Sequence, residues 1–477
     1  MTSRLLLLAS CLLPFSTLHA LEITQSGTGK TLEVTPVSFR GKNITFKQGG
    51  KTFSLPASSL TPESRQKIAS WFIYERERNA EKYSAIQQAI GHELFNSRSS
   101  LWNEKAETVA KRLNWRPESY TGVLSFRSYP SPKYGFLNAH PYCCTLYADE
   151  NNKVSHLSLV FANKGDYGST VGFGQDHFQP QGDLPSPSNL NEAIARDAKC
   201  ISTQLTAILG EPTEQRYGEK EDRRNALRWD FLDHAFILSE RSHEYTHLLI
   251  VPSDIADNEG KQDFIKDQDL REMLSKNIAR KDNGDTYLDN IPMVNQGPKG
   301  YCTPATFERA MRYMQVPADM YLLATIATAQ GGGTNPARLA DEAKRIIRSK
   351  ARRIKDLDLR SELDMKLVQK YIDKGVPILW NMRSLSKYNE IANSRTKERE
   401  SVKDFDVWAT SIQEEAEKAL PLLRDNSNHH TCMIIGYNAK TNEIAVSDSW
   451  GPRFALRWIH LDIATAVSGG GGFVIDL

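Results

Sequence analysis

Three short segments of the chain carry side chains that together could perform acyl transfer through a thiol. In chain order they read NQGPKGYC, HTCMIIGYN and VSDSWG, and they supply Gln296, Cys302, His430 and Asp448. A cysteine attacks a carbonyl as its thiolate, a nearby imidazole moves the proton, and a carboxylate orients the imidazole. The set therefore predicts a cysteine-nucleophile site.

The residues after Cys302 predict a helix that would activate the thiol. They read TPATFERAMRYM, with apolar residues at helical spacing. Thr303 is expected to cap this helix and Pro304 to stand in its first turn. A cysteine at such a helix start lies near the positive end of the helix dipole, which lowers its pKa.

Gln296 lies six positions before Cys302, with Gly297 and Gly300 between them. Glycines permit a tight return of the chain, so the Gln296 amide can lie beside the backbone N–H of Cys302. Two such donors would stabilise the oxyanion of a tetrahedral intermediate.

His430 and Asp448 are predicted to meet through a hairpin. His430 begins an apolar strand, the loop NAKTNE turns the chain, and the returning strand IAVSD ends at Asp448. In a hairpin the end of the second strand lies beside the start of the first. Asp448 would then orient the imidazole, and Trp450 would shield their hydrogen bond from water.

These segments resemble those of the papain-like cysteine peptidases, and most closely those of exported bacterial peptidases related to bacteriocin leader peptidases. The resemblance includes the Gln-to-Cys spacing, Cys302-Thr303-Pro304-Ala305, and the Asp-Ser-Trp-Gly segment. It implies a papain-like fold over 287–477, with Cys302 as nucleophile, His430 as base, Asp448 as orienting residue and Gln296 in the oxyanion hole.

The chain departs from papain itself at three points. Asp448 replaces an asparagine, Thr303 replaces the tryptophan that follows the nucleophile, and a charged stretch occupies about 383–424. This stretch would be a lid, an insertion that excludes substrates or an interaction arm.

Three functions fit these features. The first is a secreted cysteine peptidase, and the second is a cell-wall amidase or transamidase. The third is a catalytically inactive binding protein on a peptidase scaffold.

The glycines at 331–333 precede a predicted helix, PARLADEAKRIIR. In a peptidase cleft, Gly332 and Gly333 would let a substrate backbone approach and pair as an extended strand. The alternative is a plain loop before a helix.

The bulk composition restricts the partners. Lys and Arg number 60 against 58 Asp and Glu, a net charge of +2, so nucleic acid is not an expected partner. A peptide or protein substrate is expected, without a metal or an organic cofactor. Cys200 is expected to form a disulfide with Cys143 or Cys144.

The first twenty residues read as a secretory signal peptide. Arg4 precedes an apolar run, and Leu18-His19-Ala20 ends it with a small residue at the cut. No later apolar stretch is long enough to span a membrane. The mature protein is therefore expected to be secreted or periplasmic.

The 477 residues predict a multidomain α+β protein. Residues 21–75 resemble a small SH3-like β-module, which would bind another protein or a cell-wall component or have no ligand. A helical connector (76–94), an α+β domain (95–251) of two similar halves and a charged helical linker (252–286) would precede the catalytic domain. The aromatic residues of the α+β domain, Tyr129 and Tyr134 among them, are expected to form its core.

Overall fold

The computed structural model describes residues 20–40, 42–96, 99–121, 123–169, 186–219, 223–261, 264–298, 300–328 and 333–477. Contacts divide the chain into two compact units, one ending at Ala80 and the other beginning at Glu81. The predicted signal peptide, apart from its last residue, lies outside the described residues. Among the helices that are described, none is both long and apolar enough to cross a lipid bilayer.

The first unit is a four-stranded antiparallel meander followed by a helix. Its elements are β1 (Leu21–Thr24), β2 (Thr31–Arg40), β3 (Asn43–Gln48), β4 (Lys51–Pro56) and α1 (Pro62–Arg78). Helix α1 begins at Pro62, and the Thr61 side chain caps it by accepting a hydrogen bond from the Ser64 N–H. The SH3-like resemblance of this unit and its binding role stay predictions.

The second unit contains an eight-stranded antiparallel sheet, which we call the middle sheet. Helix α2 (Ala80–Ile90) leads into it. The first half consists of α3 (Ala106–Leu113), β5 (Arg116–Ser119), β6 (Ser125–Ser128), β7 (Cys143–Ala148) and β8 (Val154–Asn163). The second half consists of α4 (Leu190–Leu209), β9 (Thr213–Tyr217), β10 (Arg224–Phe231), β11 (His234–Arg241) and β12 (Tyr245–Pro252).

The two halves of the middle sheet repeat the same order of elements, as the sequence predicted. Each half is a helix followed by four strands, and the last strands, β8 and β12, pair with each other. The sheet order is therefore β5-β6-β7-β8-β12-β11-β10-β9.

The two faces of the middle sheet have different partners, because side chains alternate along a strand. Cys144 faces an apolar core that the sheet shares with α4. Cys200 of α4 packs at the edge of this core. Cys143 belongs to the opposite face, in a cluster with Tyr301 and Ala305. All five cysteines among the described residues are free thiols, so the predicted disulfide of Cys200 is wrong.

The third sheet belongs to the same unit and carries the predicted site. Its strands are β13 (Ile278–Arg280), β14 (Thr286–Leu288), β15 (Arg353–Asp358), β16 (Ile378–Arg383), β17 (His429–Asn438), β18 (Glu443–Ser447), β19 (Arg457–His460) and β20 (Ser468–Asp476). The order is β13-β14-β17-β16-β20-β15, and β18 joins β17 to β19. All pairs are antiparallel.

Nine further helices are described in the second unit. They are α5 (Ser253–Asp257), α6 (Asp267–Lys276), α7 (Cys302–Tyr313), α8 (Met320–Ala327), α9 (Pro336–Ser349), α10 (Met365–Ile372), α11 (Ser386–Arg399), α12 (Phe405–Ala419) and α13 (Leu461–Val467). Helix α7 packs against β17 in the largest apolar core that the described residues form. The predicted mixture of helix and strand is confirmed.

The charged stretch 383–424 folds mainly into α11 and α12, which pack against β19. Its anchor is Arg399, which is buried. The guanidinium forms ion pairs with Asp285 at 2.6 Å and with Glu443 at 3.0 Å. It also lies 4.1 Å from the ring centroid of Trp458. These buried contacts attach the two helices to the third sheet.

Candidate active site

Cys302 is the first residue of α7 and is partly exposed, whereas the body of the helix is buried. The predicted cap is wrong in detail. Thr303 lies inside the helix, and its hydroxyl is 2.9 Å from the hydroxyl of Thr431 on β17. The thiol still lies at the positive end of the helix, where backbone N–H groups lack helical partners.

The β17–β18 hairpin brings His430 and Asp448 together. Its register pairs Met433 with Ser447, so the start of β17 lies beside the end of β18. Nε2 of His430 is 2.9 Å from Oδ1 of Asp448. Both residues are buried, with 7% and 1% of their surface exposed. The carboxylate therefore determines the orientation of the imidazole.

Cys302 lies close enough to the same imidazole for each group to shift the pKa of the other. Since Nε2 faces Asp448, the ring nitrogen left for the sulfur is Nδ1. The nearby backbone of Thr431 also lowers the pKa of the Cys302 thiol. The structure thus unites the three residues that the sequence separated by about 130 positions.

These contacts favour a thiolate and an imidazolium. Burial opposes ionisation of Cys302, but the polar contact with His430 and the charge of its imidazolium outweigh burial and hold the thiol pKa below its ordinary value. Burial also opposes the charged form of His430, yet the hydrogen bond to Asp448 and the nearby Cys302 sulfur raise its pKa to about 9. The two shifts together favour the thiolate–imidazolium pair over the neutral pair.

Arg457 holds the far side of Asp448, which the sequence analysis missed. Its Nη2 and Nε donate to Oδ2 of Asp448 at 2.6 Å and 3.1 Å. Burial raises the pKa of Asp448, but the hydrogen bond from His430 and the charge of Arg457 prevail and keep it below its ordinary value. The available signal was an arginine within the apolar segment Leu456–Ile459, because a buried arginine needs an anionic partner.

Helix α11 in turn holds Arg457. The side-chain oxygens of Asn389 and Asn393 accept from Nη1 of Arg457 at 3.1 Å and 3.2 Å. The stretch 383–424 therefore supports the orienting carboxylate through Arg457. Its predicted roles as a lid, an excluding insertion or an interaction arm remain untested.

Trp450 lies over the imidazole as predicted. The ring centroids of Trp450 and His430 are 4.7 Å apart with an interplanar angle of 28°. Phe454 packs edge-on against the indole at 5.4 Å. An apolar cover strengthens the His430–Asp448 hydrogen bond by excluding water.

Gln296 is held by Ser449, the residue after the orienting aspartate. The Gln296 N–H donates to the Ser449 carbonyl at 2.9 Å, and the Ser449 hydroxyl donates to Oε1 of Gln296 at 2.8 Å. The amide oxygen of Gln296 therefore accepts a hydrogen bond from Ser449. The amide N–H₂ is the donor group of the same side chain. A role in an oxyanion hole would use that N–H₂ group.

Of the two glycines predicted to bind substrate, Gly332 and Gly333, the structure describes only the second. Gly332 lies outside the described residues. Gly333 is exposed, and a methyl group on its Cα would meet open space. The contacts of the described residues do not connect Gly333 to Cys302, so its substrate role stays a prediction.

One group within the described residues has side chains suited to a metal ion. Donor atoms of His430, Cys432 and Asp448 lie within 4.8 Å of one another. His430 and Asp448 bond to each other, and Arg457 binds the second oxygen of Asp448. Burial also raises the pKa of Cys432 well above its ordinary range, so this thiol is protonated. The group therefore fits a catalytic pair better than a metal site.

Two comparisons with known proteins bear on this site. Residues 288–466 match the family described as Peptidase_C39 like family. No curated protein matches the chain. The matched region contains Gln296, Cys302, His430 and Asp448. The C-terminal part of the chain is thus related to the papain-like cysteine peptidases through this family.

Proposed function

We propose that the protein is an exported cysteine peptidase that hydrolyses peptide bonds through Cys302, His430 and Asp448. The observation that carries the proposal is the imidazole of His430, which Asp448 holds at 2.9 Å and which lowers the pKa of the Cys302 thiol at the start of α7. The relationship to cysteine peptidases supports it. Export rests on the signal-like residues at the start of the sequence.

In the first half of the reaction, the Cys302 sulfur forms a bond to the scissile carbonyl carbon. The carbon–nitrogen bond then breaks, and the proton on Nδ1 of His430 passes to the leaving amine. An acyl-enzyme thioester remains on Cys302. The positive charge of the imidazolium in the resting pair makes this proton available.

In the second half, His430 takes a proton from water, and the hydroxide adds to the thioester carbon. Collapse of the intermediate breaks the carbon–sulfur bond and releases the carboxylic acid. Asp448 keeps the imidazole in one orientation through both halves. The Gln296 amide and the Cys302 backbone N–H are the proposed donors to the oxyanion.

The experiment uses the full mature chain and a Cys302→Ala variant, with Cys200→Ala as a matched control. Denatured protein and purified peptidoglycan are supplied as separate substrates. We expect cleavage of the denatured protein by the wild type and by Cys200→Ala, and none by Cys302→Ala. A thiol-directed epoxide should label Cys302, as mapped by peptide mass spectrometry.

The same experiment separates the other functions. Digestion of peptidoglycan alone would favour the cell-wall amidase. Joining of peptides to amines would favour a transamidase. A Cys302 that alkylates no faster than a free thiol, together with no turnover, would favour the binding protein. Cleavage retained by Cys302→Ala would end the peptidase proposal.

A further inference from the structure

We propose that the middle sheet contributes to the active site. Two of its residues, Tyr129 and Glu118, position the loop that carries Gln296. This inference rests on the proposed function, because it concerns the oxyanion donor of that reaction. Neither residue lies in the region 288–466 that is related to cysteine peptidases. Both are positioning residues, since they act through the backbone of Asn295.

The backbone of Asn295 is held from both sides by the middle sheet. The Tyr129 hydroxyl donates to the Asn295 carbonyl at 2.5 Å, and Oε1 of Glu118 accepts from the Asn295 N–H at 2.6 Å. Both peptide groups next to this residue are thereby fixed. The carbonyl of Asn295 belongs to the peptide bond that leads into Gln296, so the Tyr129 contact sets the direction of that residue.

Glu118 is itself held rigidly. It is 2% exposed, and it accepts from Nε of Arg127 at 2.5 Å and from the Ser125 hydroxyl at 2.9 Å. A buried carboxylate with a buried arginine partner cannot move without exposing an unpaired charge. The acceptor for the Asn295 N–H is therefore a fixed point of the middle sheet.

Gly297 provides a second, independent sign of this support. Its φ is +71°, a conformation that favours glycine. A Cβ built on Gly297 would lie 2.6 Å from Cζ of Tyr129. The phenol ring therefore packs directly on the backbone after Gln296, while its hydroxyl binds the backbone before Gln296. The Tyr129 side chain thus contacts the backbone on both sides of Gln296, the proposed oxyanion donor.

The residues before Asn295 are held by the same hairpin of the middle sheet. The Ser119 hydroxyl accepts from the Met293 N–H at 3.0 Å, and the Thr121 hydroxyl donates to the Ile291 carbonyl at 2.8 Å. Between these contacts, Arg309 of α7 donates to the carbonyl of Pro292 at 2.9 Å. The loop is therefore supported by the catalytic helix on one side and the middle sheet on the other.

It follows that the middle sheet is not a prosegment whose removal activates the enzyme. Its release would leave the Met293 and Asn295 N–H groups without their acceptors and would remove the ring that packs on Gly297. Misplacement of a catalytic group by about 1 Å can lower a rate by roughly 10²-fold. The active species is expected to retain this sheet.

The test compares Tyr129→Phe with the wild type in the full mature chain. The variant keeps the ring and removes only the donor to Asn295. We expect kcat for peptide hydrolysis to fall by about tenfold or more, with KM little changed. The rate of Cys302 alkylation by iodoacetamide should stay within about twofold, because alkylation by displacement forms no oxyanion and needs no oxyanion donor.

Two controls make the result specific. Tyr134→Phe removes another hydroxyl of the same region, one that accepts from Nε1 of Trp115, and it should leave kcat unchanged. In a Gln296→Ala background, Tyr129→Phe should cause little further loss, because both changes remove the same donor. Equal losses for Tyr129→Phe and Tyr134→Phe, or full additivity with Gln296→Ala, would overturn the inference.

A measurement that needs no turnover completes the test. Hydrogen–deuterium exchange of a peptide covering 291–297 should speed up in Tyr129→Phe, while exchange in α7 stays unchanged. Glu118→Ala should speed up the same exchange more than Glu118→Gln, which keeps an acceptor. Unchanged exchange in both Tyr129→Phe and Glu118→Ala would sink the positioning role.

The outcomes for the two proposals differ. A wild-type chain that hydrolyses no peptide, or a Cys302→Ala variant that retains hydrolysis, rejects the peptidase function and with it the catalytic part of this inference. A wild type that hydrolyses peptides beside a Tyr129→Phe variant with unchanged kcat rejects the inference alone.

Discussion

Arg457 and Asp448 form a two-point contact in which both donors of the guanidinium edge meet a single carboxylate oxygen, at 2.6 Å and 3.1 Å. Arg457 is 2% exposed and Asp448 is 1% exposed, so neither charge is hydrated. The other carboxylate oxygen is left to His430. Four charges thus alternate in sign from Cys302 to Arg457 when the thiol is ionised.

Loss of Arg457 should destabilise the fold. In Arg457→Met the side chain stays long, but the Asp448 charge loses its main buried partner. We expect the free energy of unfolding to fall by about 3–5 kcal/mol, the cost of breaking a buried ion pair on one side. Urea denaturation followed by circular dichroism measures it. Arg338→Ala, on an exposed position of α9, should change it by less than about 0.5 kcal/mol. A loss below about 1 kcal/mol for Arg457→Met would contradict the prediction.

As the pH is lowered, the rate of Cys302 alkylation should begin to fall at a lower pH than the alkylation rate of a simple thiol does. The pKa of Cys302 lies below its ordinary value, so the thiolate is present at lower pH than in a simple thiol and is lost only as the pH falls through that lowered pKa. Iodoacetamide inactivation should therefore be fast at pH 7 compared with alkylation of N-acetylcysteine. In His430→Ala this fall in rate should move up in pH, because burial remains while the stabilising partner is gone. A fall at the same pH as in the wild type would show that His430 does not activate the thiol.

Peptide hydrolysis should also have an alkaline limb. His430 must be protonated to donate to the leaving amine, and its pKa is raised to about 9. We expect kcat/KM to decline as the pH rises through about 9, while alkylation of the thiolate does not decline there. A hydrolysis rate that is still level two pH units above this value would exclude His430 as the acid.

Ser449→Ala should weaken turnover through Gln296. The variant removes the hydroxyl that donates to Oε1 of Gln296, a neutral hydrogen bond worth about 1 kcal/mol. Such a loss corresponds to roughly a fivefold decrease in kcat. Gln296→Ala should cost more, about 10²–10³-fold, because it removes the proposed oxyanion donor itself. A greater loss of kcat for Ser449→Ala than for Gln296→Ala would contradict the view that Ser449 acts through Gln296.

Gly436→Ala should disturb the strand that presents His430. A Cβ at Gly436 would lie 2.5 Å from Cβ of Tyr287 and 2.6 Å from the Thr286 carbonyl on the paired strand β14. We expect a loss of about 1–3 kcal/mol in unfolding free energy, because the backbone must shift. Gly333→Ala is the matched control, since a methyl group there meets open space. Equal unfolding free energies of the two variants would show that β14 and β17 can separate at Gly436 without cost.

Gly333→Ala also tests the predicted substrate role. With folding unaffected, a methyl group on a wall that a peptide backbone approaches should raise KM and leave kcat nearly unchanged. Steady-state kinetics on one peptide substrate measure both constants. An unchanged KM would favour the plain loop before α9.

The sequence by itself was sufficient for local relationships. The helix start at Cys302 is encoded within a few residues, and the approach of His430 to Asp448 follows from one hairpin. Such features need little tertiary context, because a helix and a two-strand turn are specified by neighbours in the chain. The Thr61 cap and Pro62 at the start of α1 are local features of the same kind.

Only the tertiary structure decided what supports these groups. Arg457 reaches Asp448 because β19 pairs with β18, and Tyr129 reaches Asn295 across 166 positions because the middle sheet packs against α7. Tyr129 looked like an ordinary core aromatic in the sequence, and 383–424 looked like an accessory insertion. Their contacts depend on how sheets and helices pack, and residue type or periodicity does not encode that packing at such separations.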